Sequence, residues 1–451
     1  MGRRPGELPL IEDYLGRRAR VYREERAILV GVLPPGRLSW EEEELMVELE
    51  ALVRTAGVRV LARVVQRRAR PDPATFVGRG KVEELAALAR DLSADVLVMG
   101  DELSPAQARN LEEATGLKVV DRTQVILDIF AQRAGTREAE LAVELAQLEY
   151  LLPRLRGWGK ALTDPGGGIG TRGPGETRLE QDRRKVKRRI QAIRRRLSDA
   201  DRVREVRRKR RRQSGVPQVA IVGYTNSGKS TLFRALTGAD VLVEDKLFAT
   251  LDARVRRMEL PQGRWALAAD TVGFIRKLPH QLIPAFRATL ESVREADLLL
   301  ITVDASSPFA LEHLETVRKV LAQIFGEAQL PPRLHVLTKL DRVSSPEQKA
   351  LLSRLGLEAV PSLAVSALLG TNMEELKEEL SLILAGHFAR VQVRIPPGRQ
   401  GVIPWLSRLG QLQGVSWKDG EGLAELTLPV ARLGRLHKAR LVVEERDRIT
   451  S

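Results

Sequence analysis

Apolar runs alternate with helical patterns in the first third of the chain. Strands are predicted at Ala27–Leu33, Val58–Val65, Asp95–Gly100 and Leu117–Val120. Helices are predicted between them at Glu41–Ala56, Lys81–Leu92 and Pro105–Thr115. Strands that alternate with helices are typical of a parallel sheet covered by helices, and we therefore predict an N-terminal α/β domain at residues 1–135.

The turn Phe76–Lys81, with the sequence FVGRGK, leads into the second of these helices. Backbone amides at the start of a helix can bind an anion. Two glycines without a complete nucleotide-binding fingerprint also fit a tight turn, and the sequence favours the turn over the anion site.

The apolar spacing then changes to that of two long helices. Apolar residues three and four positions apart form one seam at Leu141, Leu145, Leu148, Leu152 and Leu155, and a second at Val186, Ile190, Ile193 and Leu197. The intervening Gly157–Gly175 holds eight glycines and two prolines, which cannot continue either helix. We therefore predict a helical hairpin at residues 136–213, with the two seams packed together and a glycine-rich tip loop.

From Gln218 onwards the pattern is again that of an α/β domain. Strands are predicted at Val219–Val222, Arg254–Leu260, Trp265–Ala269, Leu298–Val303, Leu334–Leu337 and Ala359–Val365, and a helix at Lys229–Leu236. After Gly386 a β-α-β-β-α pattern follows at Val391–Ile395, Val402–Leu409, Val415–Lys418, Leu423–Leu428 and Val430–Leu436. It predicts a small α+β module at residues 387–451.

Composition excludes several classes of chemistry. The 451 residues contain no cysteine, which rules out disulfides, thiolate metal sites and cysteine nucleophiles. Five histidines, scattered singly, do not suggest a histidine metal cluster. No apolar run approaches the roughly 18–20 residues that span a bilayer, and no signal peptide is evident. We expect a cytoplasmic protein without membrane insertion and leave peripheral membrane association open.

The positive charge of the chain is concentrated in one segment. The net charge is +15, and residues 183–212 account for +14 of it, with 17 Lys or Arg against three acidic residues. Three acidic residues are too few to pair these cations within one helix. The segment therefore predicts a basic rod that contacts a polyanion.

A phosphate-binding loop is predicted at Gly223–Ser230, with the sequence GYTNSGKS, between a strand and a helix. In this motif the backbone amides close on the phosphates. Lys229 would offer its charge to the β- and γ-phosphates, and the hydroxyl of Ser230 would ligate Mg²⁺.

A second motif follows the strand at Trp265–Ala269. Asp270 is predicted in the outer shell of the Mg²⁺, and the amide of Gly273 to sense the γ-phosphate. Thr250 lies between the two motifs, where a switch threonine closes over Mg²⁺. We predict catalytic roles for Lys229, Thr250 and Gly273.

The base is predicted to be guanine. Asp341, in Thr338-Lys339-Leu340-Asp341, can accept hydrogen bonds from N1–H and N2–H₂ of guanine, which adenine does not offer. The stem of Lys339 can cover the face of the base, and Ser366-Ala367 can place an amide near O6. The order of these motifs resembles that of the translation-factor class of GTPases.

The complete predicted GTP site has the following members: Gly223, Tyr224, Thr225, Asn226, Ser227, Gly228, Lys229, Ser230, Thr231, Phe248, Thr250, Asp270, Thr271, Val272, Gly273, Thr338, Lys339, Leu340, Asp341, Ser366, Ala367 and Leu368.

Two positions depart from the usual pattern, and a third matches an asparagine that only some GTPases carry. Thr338 stands where these GTPases usually carry asparagine, which predicts a lower nucleotide affinity. Phe274 follows Gly273 where many carry a glutamine that orients the attacking water, which predicts slow turnover of the protein alone. Asn226 stands where some GTPases hold K⁺ against the phosphates, and an alternative role is a hydrogen bond to a switch loop.

The sequence resembles the HflX family of ribosome-associated GTPases, within the Obg–HflX superfamily. The resemblance rests on the GTP motifs and on Gly168–Thr177 (GIGTRGPGET), followed by Leu179-Glu180 and Asp182-Arg183-Arg184. Val120-Asp121-Arg122-Thr123 and the stretch from Asp128-Ile129-Phe130 to Gln147-Leu148 also match. The match runs from about residue 20 to residue 385.

The strand and helix pattern together with the motifs predicts a multidomain α/β fold with a P-loop GTPase domain at residues 214–386, and the resemblance agrees with it. The resemblance implies binding to the large ribosomal subunit and splitting of stalled or idle ribosomes under stress such as heat shock, in addition to the GTP/GDP and Mg²⁺ that the motifs predict. ATP binding by the N-terminal domain is implied less directly. We predict a monomer whose rRNA contacts are made by Gly170, Arg172, Gly173, Gly175, Arg183, Arg184, Arg188, Arg194, Arg195, Arg208 and Arg211.

Two other functions stay open from the sequence. One is an RNA-remodelling protein in which the GTPase is a regulatory switch and the N-terminal domain uses ATP, although residues 1–135 contain no second phosphate-binding loop. The other is a ribosome-assembly factor that docks on immature particles and uses GTP as a checkpoint.

Overall fold

A computed structural model describes residues 25–36, 39–155, 174–239, 248, 254–276, 291–326, 328–357, 360–439 and 441–448. The chain forms two compact units. The first contains residues 1–200, 245–252 and 277–287, and the second contains residues 201–244, 253–276 and 288–451. The predicted α/β multidomain fold is confirmed, while the predicted domain boundaries stay predictions.

The first unit contains a parallel four-stranded sheet in the order β2-β1-β3-β4. Its strands are β1 (Arg26–Leu33), β2 (Arg59–Arg67), β3 (Val96–Met99) and β4 (Lys118–Asp121). Its helices are α1 (Ser39–Thr55), α2 (Arg79–Leu92), α3 (Pro105–Thr115) and α4 (Arg122–Arg133). The sequence pattern indicated the strands and α1–α3, but α4 was not predicted.

Both faces of this sheet are covered. The apolar sides of α2 and α3 pack against alternate residues of the strands, including Ile28, Val30 and Leu97. On the opposite face Gly31 lies under Met46 of α1, whose neighbour is α4. The Phe76–Lys81 turn uses the amide of Gly78 to bind Oε1 of Gln66 at 2.9 Å, which favours the tight-turn interpretation.

The predicted hairpin consists of α5 (Arg137–Arg154) and α6 (Pro174–Ser214). Its two seams form one apolar cluster, which contains Leu141, Leu145, Leu148, Leu155, Val186, Ile190 and Ile193. This packing confirms the predicted contact between the two seams. Helix α6 begins at Pro174, however, so the last two residues of the Gly157–Gly175 stretch are helical, contrary to the prediction, because proline is tolerated in the first turn of a helix. The predicted tip before Pro174 lies outside the described residues. Asp121 anchors the end of α5, because its buried carboxylate accepts hydrogen bonds from Arg154 at 3.1 Å and from the amide of Leu103 at 3.0 Å.

The second unit contains a six-stranded sheet in the order β10-β9-β8-β5-β7-β6, parallel except for β6. Its strands are β5 (Gln218–Gly223), β6 (Arg254–Leu260), β7 (Arg264–Asp270), β8 (Leu298–Asp304), β9 (Arg333–Thr338) and β10 (Ser362–Ala364). Its helices are α7 (Lys229–Thr237), α8 (Ala310–Phe325), α9 (Ser345–Arg354) and α10 (Met373–Ile383). The chain passes from one side of β5 to the other, so the carboxyl ends of β5 and β8 form the crevice where such sheets bind ligands.

The same unit contains an antiparallel sheet in the order β12-β13-β11-β14. It is formed by β11 (Phe388–Ile395), β12 (Gln411–Lys418), β13 (Glu421–Pro429) and β14 (Val442–Arg448), with α11 (Ile403–Leu409) and α12 (Leu433–Lys438) on one face. We call residues 388–448 the C-terminal module. Its β-α-β-β-α-β topology is that of a split βαβ fold, and β14 was not predicted. None of the described helices is long and apolar enough to cross a bilayer.

Replacement of Asp128 by asparagine is expected to stabilise the first unit above neutral pH. Burial raises the pKa of Asp128 from 3.8 to about 7, so the folded chain holds a proton that the unfolded chain lacks between these values. The free energy of unfolding therefore falls as the pH rises across this window. At pH 8 we expect the free energy of unfolding of Asp128→Asn to exceed that of the wild type by ~2–4 kcal/mol. At pH 4 we expect no such difference.

Hydrogen exchange of the β3 and β4 amides in the two proteins, compared at each pH, measures this difference. The exposed Asp91 on α2, replaced by asparagine, is the control. An equal gain at both pH values would contradict the prediction.

Candidate nucleotide-binding site

The predicted phosphate loop lies between the end of β5 and the start of α7. Asn226 and Gly228 adopt left-handed backbone conformations, with φ of 59° and 80°, and the loop ends directly at the amino terminus of α7. The amino terminus of a helix carries unpaired amides and the positive end of the helix dipole. The loop is therefore suited to bind a polyphosphate.

The side chain of Lys229 is buried at the base of this loop. Its ammonium donates a hydrogen bond to the carbonyl of Tyr224 at 2.6 Å. Burial lowers the pKa of Lys229 to about 8, and nearby Asp270 acts in the opposite direction. A phosphate group beside the ammonium would favour the charged form further.

Two of the predicted magnesium-site residues come together. The hydroxyl of Ser230 donates to the carboxylate of Asp270 at 2.8 Å. A hydroxyl and a carboxylate are hard oxygen donors of the kind that Mg²⁺ prefers, so the pair fits this ion. The buried Thr271 hydroxyl donates to the carbonyl of Ile221 at 2.6 Å and fixes the chain after Asp270. Thr250 lies outside the described residues.

The segment after Asp270 lies close against the phosphate loop. A Cβ atom on Gly273 would come within 2.8 Å of the Cα of Thr225 and within 2.9 Å of the Nζ of Lys229. Phe274 donates its amide to the carbonyl of Gly223 at 3.0 Å and accepts from the amide of Thr225 at 2.8 Å. The Phe274 side chain is buried, and it carries no group that could orient a water molecule.

Tyr224 connects the phosphate loop to two other elements. Its hydroxyl accepts a hydrogen bond from the amide of Arg276 at 3.2 Å. Its ring stacks on His313 of α8, with the ring centroids 3.9 Å apart and the planes 10° apart. The sequence analysis missed His313, because nothing in the local pattern of α8 indicates which of its residues meets the loop.

At the end of the site predicted to bind the base, Thr338 forms a hydrogen bond with the phosphate loop. Its hydroxyl lies 2.8 Å from the carbonyl of Ser227 and 3.1 Å from that of Val303. Ser227 and Thr302 also share a hydrogen bond of 2.7 Å between their hydroxyls. The threonine thus links β9 to the loop with a single hydrogen bond, and the predicted loss of affinity stays a prediction.

The two predicted guanine-site side chains each have a partner. The carboxylate of Asp341 accepts from the hydroxyl of Ser366 at 2.5 Å. The ammonium of Lys339 pairs with the carboxylate of Asp304 at 2.8 Å. The sequence analysis missed Asp304, although an acidic residue at the carboxyl end of a buried strand next to β9 is a detectable signal. Leu368, in the loop after β10, is 75% exposed.

Phe248 belongs to the first unit. Its ring packs edge-on against Phe130 of α4, with the centroids 4.7 Å apart, and both side chains are buried. Its predicted role at the nucleotide stays a prediction.

Some arginines of α6, including several predicted rRNA contacts, form ion pairs within the hairpin, whereas others are exposed. Glu144 on α5 binds Arg189 through two hydrogen bonds of 2.6 and 2.8 Å, and Glu149 binds Arg194 at 2.7 Å. Arg183 and Arg184 lie near Glu180 on their own helix, at 3.8 and 3.6 Å.

Arg188 and Arg195 are exposed on α6. Gly175 is the second residue of α6, and the helix includes Arg208 and Arg211, whose side chains are not described. Gly170, Arg172 and Gly173 lie outside the described residues.

Three family models match consecutive parts of the chain. They are "GTP-binding GTPase N-terminal" at residues 43–131, "GTP-binding GTPase Middle Region" at residues 133–211 and "50S ribosome-binding GTPase" at residues 218–339. The last of these contains the phosphate loop and ends at Lys339.

Several curated relatives are named GTPase HflX. The GTPase HflX of Caldanaerobacter subterraneus is 51% identical over 70% of this chain and 73% of its own length. The GTPase HflX of Escherichia coli K12 is 42% identical over 88% of this chain and 93% of its own length. A crystal structure of a GTP-binding protein from Sulfolobus solfataricus with GDP has a TM-score of 0.42, at 24% identity over 80% of this chain and 98% of that one.

Proposed function

Because the chain belongs to the HflX family of GTPases, we propose that it binds the large ribosomal subunit and splits stalled or idle ribosomes under stress such as heat shock. The chain hydrolyses GTP as a member of this family, whose GTPases generally use Mg²⁺. The step from GTPase to ribosome splitting is our proposal.

The observation that carries the proposal is the connection between the basic helix and the nucleotide site. Residues 183–212 of helix α6 account for +14 of the net charge of +15, the helix ends at Ser214, and β5 begins at Gln218. Only three residues therefore separate a polyanion-binding helix from the strand that leads into the phosphate loop.

We assign the following roles at the nucleotide. Lys229 neutralises charge on the β- and γ-phosphates. Ser230 as a ligand and Asp270 in the outer shell would hold Mg²⁺, an ion that would supply further positive charge at the phosphates. The amide of Gly273 senses the γ-phosphate, because this residue lies against both the loop and Lys229. Asp341 selects guanine and is positioned by Ser366.

We expect slow GTP hydrolysis by the protein alone and a strong acceleration by ribosomes. Phe274 is buried and cannot orient water, so turnover alone should not exceed the scale of about 10⁻² s⁻¹. Single-turnover hydrolysis with and without ribosomes measures this. A rate near 1 s⁻¹ without ribosomes, well above this scale, would contradict the prediction.

Exchange of K⁺ for Na⁺ in the same assay tests whether Asn226 helps to hold K⁺. A faster rate in K⁺ supports that role. An unchanged rate favours the alternative, a hydrogen bond to a switch loop.

Replacement of residues 166–173 by a short Gly-Ser linker tests the splitting mechanism. We expect this variant to bind GTP and large subunits like the wild type, because the basic helix is intact, and to fail to separate the subunits. Light scattering of intact ribosomes with GTP measures separation, and cosedimentation in GTP, GDP and no nucleotide measures binding. Splitting at the wild-type rate would show that the hairpin is only an anchor.

Charge reversal of Arg188 and Arg195 tests whether the basic helix provides the affinity for the ribosome. These two exposed arginines contribute to affinity, so their replacement by glutamate should weaken binding. It should also flatten the log–log salt dependence by about 0.7–0.9 for each phosphate that the variant no longer neutralises. Association with immature particles alone would instead favour an assembly factor.

A further inference from the structure

The joint between α6 and β5 is held by the C-terminal module. Ser214, the last residue of α6, accepts a hydrogen bond through its carbonyl from Nε of Arg432 at 2.9 Å. The two residues are 218 positions apart in the chain, and both belong to the second unit. The carbonyls of the last turn of a helix lack partners within the helix, so this contact caps the end of α6.

The same guanidinium is fixed from its other side. Nη1 of Arg432 donates to the carbonyl of Leu409 at 2.8 Å and approaches that of Arg408 at 3.4 Å, at the end of α11. One arginine therefore joins the ends of two helices, α6 and α11. A lysine could not reproduce this arrangement, because a single ammonium lacks the planar spread of donors.

A close backbone approach supports the contact. Gly215 has a φ of +67°, and a Cβ atom there would overlap the Cβ of Ala431 and lie 3.4 Å from that of Pro429. The joint and the segment after β13 therefore pack directly on each other. Only glycine satisfies both the left-handed backbone and the space.

The module also rests on the GTPase sheet at a second place. Phe388, at the start of β11, packs edge-on against Trp265 of β7, with the centroids 5.6 Å apart. Beside it, the turn at Gly263 lies against Gln411 of β12, where a Cβ atom would meet the side chain at 2.9 Å. Contacts at two separate places fix the orientation of the module better than one.

We propose that the C-terminal module is a brace that fixes the direction in which α6 leaves the GTPase domain, with Arg432 as its positioning residue. A three-residue joint that contains a left-handed glycine would bend freely if it were unsupported. Held by the module, it transmits a movement of the nucleotide site to the basic helix. The expected effect on ribosome splitting rests on the proposed function. The claim that the module fixes the direction of α6 does not.

Spin-label distances test the mechanical claim in the full-length chain. The chain has no cysteine, so Arg202→Cys on α6 and Lys319→Cys on α8 provide a unique pair of labels at exposed positions of the second unit. Two independent changes weaken the brace. Arg432→Ala removes the guanidinium, and Gly215→Ala forces the joint away from Ala431.

Each change has a matched control. Arg435→Ala removes an exposed arginine from α12. Gly356→Ala places alanine at a φ of +62° with no atom within 4 Å, so it reproduces the backbone strain of Gly215→Ala without the clash. Ala431→Gly, combined with Gly215→Ala, relieves the clash and keeps the strain.

We expect the distance distribution to widen at least twofold in Arg432→Ala and Gly215→Ala, and to keep its wild-type width in both controls. Ala431→Gly should narrow it again in the Gly215→Ala background. Wild-type widths in both brace variants would overturn the proposal, as would equal broadening in the controls.

Ribosome assays test the coupling separately. In the brace variants GTP-dependent splitting should fall about tenfold, while hydrolysis without ribosomes stays within twofold of the wild type. Unchanged splitting despite a broadened distribution would overturn the coupling. If the wild-type protein does not split ribosomes, the proposed function fails, and the distance measurements still decide whether the module braces the helix.

Discussion

Replacement of Asp341 by asparagine is expected to shift the nucleotide preference from guanine to xanthine nucleotides. Its carboxylate is the predicted acceptor for two N–H groups of guanine. The amide presents a donor where guanine also has a donor, whereas xanthine has a carbonyl oxygen there. The asparagine oxygen can still accept N1–H, but one hydrogen bond to a charged group is lost and two donors are left facing each other. Together these changes correspond to an affinity for GDP lower by on the order of 10² to 10⁴.

Equilibrium binding of GDP and XDP to both proteins measures this shift. Ser366→Ala is the control, since it removes the hydroxyl that holds Asp341 at 2.5 Å but leaves the carboxylate in place. It should weaken both nucleotides without changing their order. Unchanged preference for GDP in Asp341→Asn would refute the assignment of the guanine site.

The second large effect is expected from Gly273→Ala. The added Cβ would lie 2.8 Å from the backbone of Thr225 and 2.9 Å from Nζ of Lys229, so the segment must move away from the phosphate loop. The amide of Gly273 would then no longer reach the γ-phosphate. Loss of one such donor slows a reaction by on the order of 10² to 10³, and we expect GTP hydrolysis to fall by at least the lower value.

Single-turnover hydrolysis and GDP binding separate this effect from a loss of folding. GDP has no γ-phosphate, so its affinity should stay within about threefold of the wild type. Gly386→Ala is the control, because a Cβ atom there meets nothing within 4 Å. Equal losses of GDP binding and of hydrolysis would contradict a role specific to the γ-phosphate.

Short-range signals in the sequence predicted the parallel strands, the paired seams of the hairpin and the phosphate loop. Each of these depends on residues that are neighbours along the chain. Helix α4 was missed although Asp121 caps it, because its sides are buried against several elements and no regular apolar spacing marks one face. Strand β14 was missed because its residues include several charges, and its pairing with β11 connects distant parts of the chain.

The sequence predicted the motif residues more completely than the side chains from other elements that contact them. The sequence indicated Lys339 but not Asp304, and Tyr224 but not His313, because each partner comes from another element. The basic segment predicts cations that are available to a polyanion, yet Glu144 and Glu149 engage Arg189 and Arg194. These pairs depend on the angular position of α5 beside α6, which periodicity alone does not fix.

The strand order of the C-terminal module sets the order of events during synthesis. β11 pairs with β14, the last strand, so the sheet is complete only when residues up to 448 have been made. Domains fold as units from the amino terminus during translation, and long-range strand pairing is slow. The basic helix and the nucleotide site therefore emerge first. A chain that terminates before residue 432 would carry the helix without Arg432, and one that terminates between residues 433 and 441 would hold Arg432 on an incomplete sheet.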